Sequence, residues 1–233
     1  MKNISKLLAL GLFAMSLTAT SVFAEIKAGI TLGQGVWAAS GEEQNLNNTS
    51  TDTAQTGSKS GSKNRKGHGA FADSVASIFI EYDHGPVSIG IAQHGDVTTP
   101  EATNIQQSDA SGSTRSTNTA KATFSHEQML YVIVDLPFFG AYVKAGMSRV
   151  DVETQESLGT GAVYPDTNTD GQHIGFGFER ELEGLSVRFE VLGSEYDDVS
   201  ASDSNSASDE TAKVVKVSEM IGARATISIL KTF

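Results

Sequence analysis

The sequence predicts an all-β protein, an eight-stranded antiparallel up-and-down transmembrane β-barrel with four long extracellular loops and three short periplasmic turns. Three observations carry this. Apolar residues recur with period two and hardly anywhere with helical spacing, as pleated strands with one apolar face require. Short Gly- or Pro-bearing connections alternate with long polar ones. After Ala24 no stretch approaches the roughly 20 apolar residues that a membrane-spanning helix needs, so only strands could cross a bilayer.

The strands follow in order. Ile26-Ala28-Ile30-Leu32 alternates with Lys27, Gly29 and Thr31, and Ala76-Ile78-Ile80-Tyr82 with Ser77, Phe79 and Glu81. Val87-Ile89-Ile91 is the third strand. Met129 to Leu136 is apolar on both faces, which leaves its register open. Ala141-Val143-Ala145-Met147 interleaves with Tyr142, Lys144, Gly146 and Ser148, and Ile174-Phe176-Phe178 with His173, Gly175, Gly177 and Glu179. Leu185-Val187-Phe189-Val191 interleaves with Ser186, Arg188 and Glu190, and Ile221 to Phe233 with Gly222, Arg224, Thr226 and Ser228. The short turns are Asp83–Pro86, Pro137–Gly140 and Glu181–Gly184, with ordinary turn chemistry. The long connections run from about Gly41 to Gly69, Gly95 to Phe124, Asp151 to Gly171 and Asp197 to Thr211.

A soluble sandwich or lipocalin-like barrel would also alternate, with its apolar face inward. The connections decide against it. Compact soluble domains rarely carry structureless loops longer than about 12–15 residues, whereas membrane barrels pair long outer loops with short periplasmic turns.

Composition bounds the function. The chain has 233 residues, 28 acidic and 17 basic side chains and no cysteine. Lys2 and Lys6 precede the apolar run Leu7–Leu17, which ends in Val22-Phe23-Ala24, so residues 1–24 read as a signal peptide and 25–233 as the barrel domain. Removing the leader moves the net charge from −11 to −13, because both lysines leave with it. Such a charge argues against nucleic acid as a partner, and the absence of cysteine excludes disulfides and thiolate chemistry.

The leader, the eight alternating strands, the unequal connections and a final Phe233 on the apolar face together resemble the small Gram-negative outer-membrane β-barrels. That group includes the OmpA transmembrane domain and the OmpX- and OmpW-like proteins, often filed as porin-family proteins. Glu156-Ser157-Leu158-Gly159-Thr160-Gly161 followed by Tyr164 is similar to a loop-to-strand segment of such barrels. The resemblance implies localisation in the cell outer membrane, with outer-membrane lipid and lipopolysaccharide around the wall. It also makes Phe233 the signal read by the barrel assembly machinery, although Lys231 stands where a second aromatic is preferred. Family members serve as anchors, adhesins, phage receptors or minor pores, so a surface ligand or phage would meet the loops.

Candidate chemistry starts in the lumen. Lys27, Glu81, Lys144, Glu179, Arg188, Glu190 and Arg224 fall on polar faces, as either a structural plug or a pore lining. An eight-stranded barrel is only wide enough for side chains to fill it, which favours the plug; the alternative is a narrow porin-like channel for small solutes or ions. Asp166, Asn168 and Asp170, with Gly171 next, match the start of a calcium loop, but Gly177 stands where the bidentate glutamate is due. The plainer reading is a polar turn, and neither metal nor cofactor is expected. Lys59, Lys63, Arg65, Lys66 and His68 form a basic stretch of the first loop, suited to lipopolysaccharide phosphates or simply solvated. His94 and His126 flank the second loop, where a rim enzyme would keep its base; no nucleophile motif accompanies them, so no enzyme is expected. Phe138, Phe139, Tyr82 and Phe233 are placed at the periplasmic aromatic girdle, and Trp37 and Tyr196 at the outer one.

Overall fold

The computed structural model describes residues 25–45, 65–107, 115–157, 163–202 and 213–233. Eleven strands make up the described chain: β1 Glu25–Asn45, β2 Arg65–His84, β3 Val87–His94, β4 Val97–Thr98, β5 Ala102–Gln107, β6 Arg115–Asp135, β7 Ala141–Ser157, β8 Thr167–Leu182, β9 Leu185–Tyr196, β10 Val199–Ser202 and β11 Lys213–Thr232. Eight of them form one antiparallel ring in the order β1-β2-β3-β6-β7-β8-β9-β11, closed by β11 pairing back onto β1. The three short ones, β4, β5 and β10, extend hairpins at the far end by pairing with β6 and β11. Closure leaves no edge in the ring, the condition for a sheet to sit in lipid.

The three expected turns all lie at one end, and two show their type. Gly85-Pro86 links the pair His84↔Val87, with Gly85 at φ 65°, the II′ pattern that glycine permits. Glu183-Gly184 links Leu182↔Leu185 with both φ values positive, the I′ pattern.

Register settles which face is which. Ile30 stands between Ile78 and Ile229, Ile91 between Ile80 and Leu130, and Phe189 between Phe178 and Ile227. These side chains point outward and are about half exposed or more, with Ile174 at 73%. Lys27, Glu81, Lys144, Arg188 and Arg224 point inward. The double-sided segment of β6 resolves with Met129, Tyr131 and Ile133 inward, each buried, and Leu130 and Val134 outward.

Two expectations need correction. The long connections are not structureless throughout: β1 runs on to Asn45, β2 begins at Arg65, β6 begins at Arg115 and β7 continues to Ser157. A strand of 20 or so residues is twice the 9–11 that crosses a bilayer, so the hairpins stand well clear of it. There the outer face is polar, so the apolar-out alternation of the lower strands does not continue. Trp37 and Tyr196 do not join an outer girdle either. Both turn inward: Trp37 lies over Gly35 and Gly222, Tyr196 over Gly171, and only glycine leaves room for rings that close to the wall. Phe138, Phe139, Tyr82 and Phe233 are exposed at the turn end as expected.

Residues 1–24 lie outside the described residues, as do Lys59, Lys63 and Leu158–Gly161.

Candidate functional site: the charged lumen

The lumen is filled in two layers. Nearer the turns, the Arg188 guanidinium donates from Nη1 and Nη2 to the two oxygens of Glu81 at 2.6 and 2.9 Å. It also donates from Nη2 and Nε to Glu179 Oε2 at 2.7 and 3.1 Å. Bidentate pairing of this kind combines charge with fixed geometry. Lys27 spans Asp83 at 2.6 Å and Glu179 at 3.4 Å. Lys144 donates to Glu190 at 3.0 Å while lying 4.0 Å from the Tyr131 ring centroid. Tyr131 and Tyr142 complete the layer, donating to Glu81 and Glu190 at 2.7 and 2.9 Å. Strand pairing explains why these groups meet. Glu179 is directly opposite Arg188 across β8 and β9, and Glu81, Gly90 and Tyr131 are in register across β2, β3 and β6, so the Tyr131 ring lies over Gly90 to reach Glu81.

The second layer lies toward the hairpins. Arg224 donates to both oxygens of Glu127 at 3.0 and 3.3 Å, and Tyr196 donates to Glu127 at 3.3 Å. His173 is held between two serines, Nε2 at 2.7 Å from Ser148 and Nδ1 at 2.8 Å from Ser194. Arg224 can only donate, so its 3.3 Å contact with His173 Nδ1 makes that nitrogen an acceptor and puts the ring proton on Nε2.

All seven charged residues expected in the lumen are there. Six of them meet in the first layer, and Arg224 alone belongs to the second. Arg224's own partner, Glu127, was not anticipated from sequence. It follows the bulge at His126, where φ is 53° and the β6–β7 register shifts. Odd-numbered parity counted back from Met129 and Tyr131 was the available signal.

Other candidates come apart. His94 faces the lumen, 3.3 Å from Arg224. His126 faces outward and is largely exposed, near Asp151, so the two rim histidines lie on opposite faces of the wall. The Asp166–Gly171 stretch is not a turn. From Thr167 it is strand β8, where Asn168 accepts from Arg149 at 2.7 Å and Asp166 accepts from the Thr154 amide at 3.0 Å.

The polarity decides what the ring is for: ion pairs inside, and a collar of Ile, Leu, Val and Phe outside. The chain is an eight-stranded transmembrane β-barrel. No protein-family model and no curated protein matches it. Among solved structures, it is similar to the outer membrane protein OprG of Pseudomonas aeruginosa, at 11% identity over 89% of this chain and 95% of that one, TM-score 0.47. It is also similar to the outer membrane protease OmpT of Escherichia coli, at 9% identity over 93% and 100%, TM-score 0.44. A third is the attachment invasion locus protein Ail of Yersinia pestis, at 10% identity over 87% and 99%, TM-score 0.36. With likeness this remote, a function has to come from the barrel's own residues.

Proposed function

We propose that the barrel sits closed in the outer membrane of a Gram-negative cell and acts as a structural or surface-interaction protein through its extracellular hairpins. One observation supports this above the others: Arg188, 3% exposed, spends four hydrogen bonds on two carboxylates in the middle of the lumen. An unpaired charge there costs several kcal/mol, so the pairing resists opening and leaves little room for a water-filled path.

On this reading the hairpins at the far end from the turns face the medium, and lipopolysaccharide surrounds their base. Arg149 stands there just above the apolar collar, its side chain 65% exposed, where a lipid phosphate would meet it. The wall carries no catalytic assignment, because the rim histidines face opposite ways.

The competing reading is a narrow channel for small solutes. Planar-bilayer recording of the refolded protein separates them. The closed barrel shows no steady conductance, and an open state in the nanosiemens range overturns it. Heat-modifiable migration of the protein in the outer-membrane fraction checks the location.

A further inference from the structure

Arg224 divides its two terminal nitrogens among three side chains. Nη1 donates to Glu127 Oε2 at 3.0 Å and lies 3.3 Å from His94 Nδ1. Nη2 donates to Glu127 Oε1 at 3.3 Å and lies 3.3 Å from His173 Nδ1. A guanidinium can only donate, so both imidazoles accept, and each is neutral with its proton on Nε2. One ion pair is thus held between two uncharged rings. His173 is 4% exposed, and His94 Nε2 is closed off from solvent.

A second proton on either ring has to enter at Nδ1, against the guanidinium. Little else facing the rings can offset it. Around His173 stand the Ser148 and Ser194 hydroxyls, the Tyr196 ring in T-shaped contact, and Glu127 Oε1 at 3.6 Å, already bonded to Arg224. Around His94 the shared wall adds Lys144, Arg188 and Glu190, and Glu190 is bonded to Lys144 and Tyr142. Among the described residues, β1 and β2 put no charged group on that wall. With both rings protonated, three cations compete for Glu127, where burial leaves their repulsion poorly screened.

We propose that the Arg224 layer is an acid-released latch. Protons on His94 and His173 drive it apart and free the hairpins above, while the Arg188 layer stays shut. That lower layer is built from arginine, lysines, tyrosines and carboxylates, and carboxylates ordinarily take protons only near about pH 4. The latch is strongest above about pH 6.5, the ordinary imidazole value. Below it, released rings bind protons that the intact layer refuses, so the latch weakens as the pH falls. Between about pH 7.5 and pH 5, each ring contributes about a thirtyfold shift toward the open state. This adds a regulation of the hairpins to the proposed function. Fluorescence reads the latch and conductance reads closure, so the two fail separately.

The test uses the full chain refolded in detergent micelles. Trp37 is the chain's one tryptophan, and it lies over Gly222, two positions from Arg224. Its emission should move reversibly to the red between about pH 7.5 and pH 4.5, with a slope of about two protons. Heat-modifiable migration should persist throughout. His94→Gln should lower the slope to about one proton, and His126→Gln, on the outer face, should leave it unchanged. Emission indifferent to pH, an unchanged slope and midpoint in His94→Gln, or loss of heat-modifiable migration together with the red shift overturns the proposal. Should His94→Gln fail to fold, nitrogen-15 NMR of the wild-type imidazoles decides. Rings that charge together with the red shift support the latch, and rings that charge without it overturn the latch.

Discussion

The two ends of a single strand obey opposite rules. In the turn-side half of β7, Tyr142, Lys144 and Ser148 point inward and Val143 and Met147 outward. Beyond Ser148 the same alternation continues without a bulge in β7, but Val150 and Val152 are the buried inward residues, 2% and 7% exposed, and Arg149 and Asp151 face out. Elsewhere in the upper part the interior is likewise apolar. Trp37 stacks on Phe71 at 5.3 Å between centroids, Phe71 on Phe124 at 6.4 Å, and Val75, Val97, Val199 and Met220 are buried. Nothing in the backbone of β7 changes at the crossover, although its neighbour β6 bulges there at His126; what changes for β7 is the medium. Where lipid surrounds the wall, apolar side chains gain by facing out, and where water surrounds it they gain by facing in. The crossover near Ser148–Arg149 on β7 and Ile174–Gln172 on β8 therefore marks the membrane boundary.

The comparison breaks most severely at Arg188. Arg188→Ala leaves the buried Glu81 without its cation and Glu179 with Lys27 alone, at a cost of about 3–5 kcal/mol. Urea unfolding in micelles should show that loss, and a variant of wild-type stability would mean the lower lumen is wet. Next comes the boundary itself. Phe176→Arg on the lipid face of β8 should cost about 2–4 kcal/mol. Arg149→Leu, just beyond the boundary on the neighbouring strand, should stay within about 0.5 kcal/mol. Equal costs for the two would erase the boundary drawn here.

The lower region was readable in sequence because lipid and plug impose opposite demands on adjacent residues. Ile26 to Leu32 and Ala141 to Met147 show this, and the seven lumen charges follow from their parity. Met129 to Leu136 defeated the pattern because Met129, Tyr131 and Ile133 pack inside with the ion pairs while Leu130 and Val134 face lipid. The upper region was hidden for a different reason. With water outside, polar residues serve the outer face, so Lys121 to Ser125 and Asp151 to Ser157 look like loop. Trp37 was misplaced because it is aromatic near a membrane boundary, where a girdle is the ordinary expectation. The glycines opposite and beside it, Gly222 and Gly35, were the clue that the ring needed room within.

That inner aromatic stack gives a third, intermediate effect. Trp37→Ala removes a half-buried ring from the upper interior and should cost about 2 kcal/mol, less than the 3–5 of a fully buried aromatic. Because the loss falls above the boundary, the lower plug should keep its ion pairs, and bilayer recordings should stay silent. A variant that conducts would show that the two regions close the lumen jointly.

The smallest effect lies at the outermost pair, where β10 meets β11. Lys216 Nζ lies 2.8 Å from Asp198, with both side chains about half exposed. The hydrogen bond from Lys216 holds the Asp198 carboxyl below its ordinary 3.8, and the same bond raises the lysine. A carboxyl depressed on folding stabilises at pH above its unfolded value and loses that contribution as the pH falls through the folded one. A raised lysine stabilises below its unfolded value and loses that contribution as the pH climbs through the folded one. The pair therefore contributes across the whole neutral range and fails only at the two extremes. Water and salt screen it, so Lys216→Ala should scarcely move the unfolding midpoint. It should move the Asp198 titration upward into the ordinary carboxylate range, which carbon-detected NMR of the labelled carboxyl can follow. An unchanged titration would mean that the pair is broken in solution and that this rim is as loosely held as the lower lumen is tightly held.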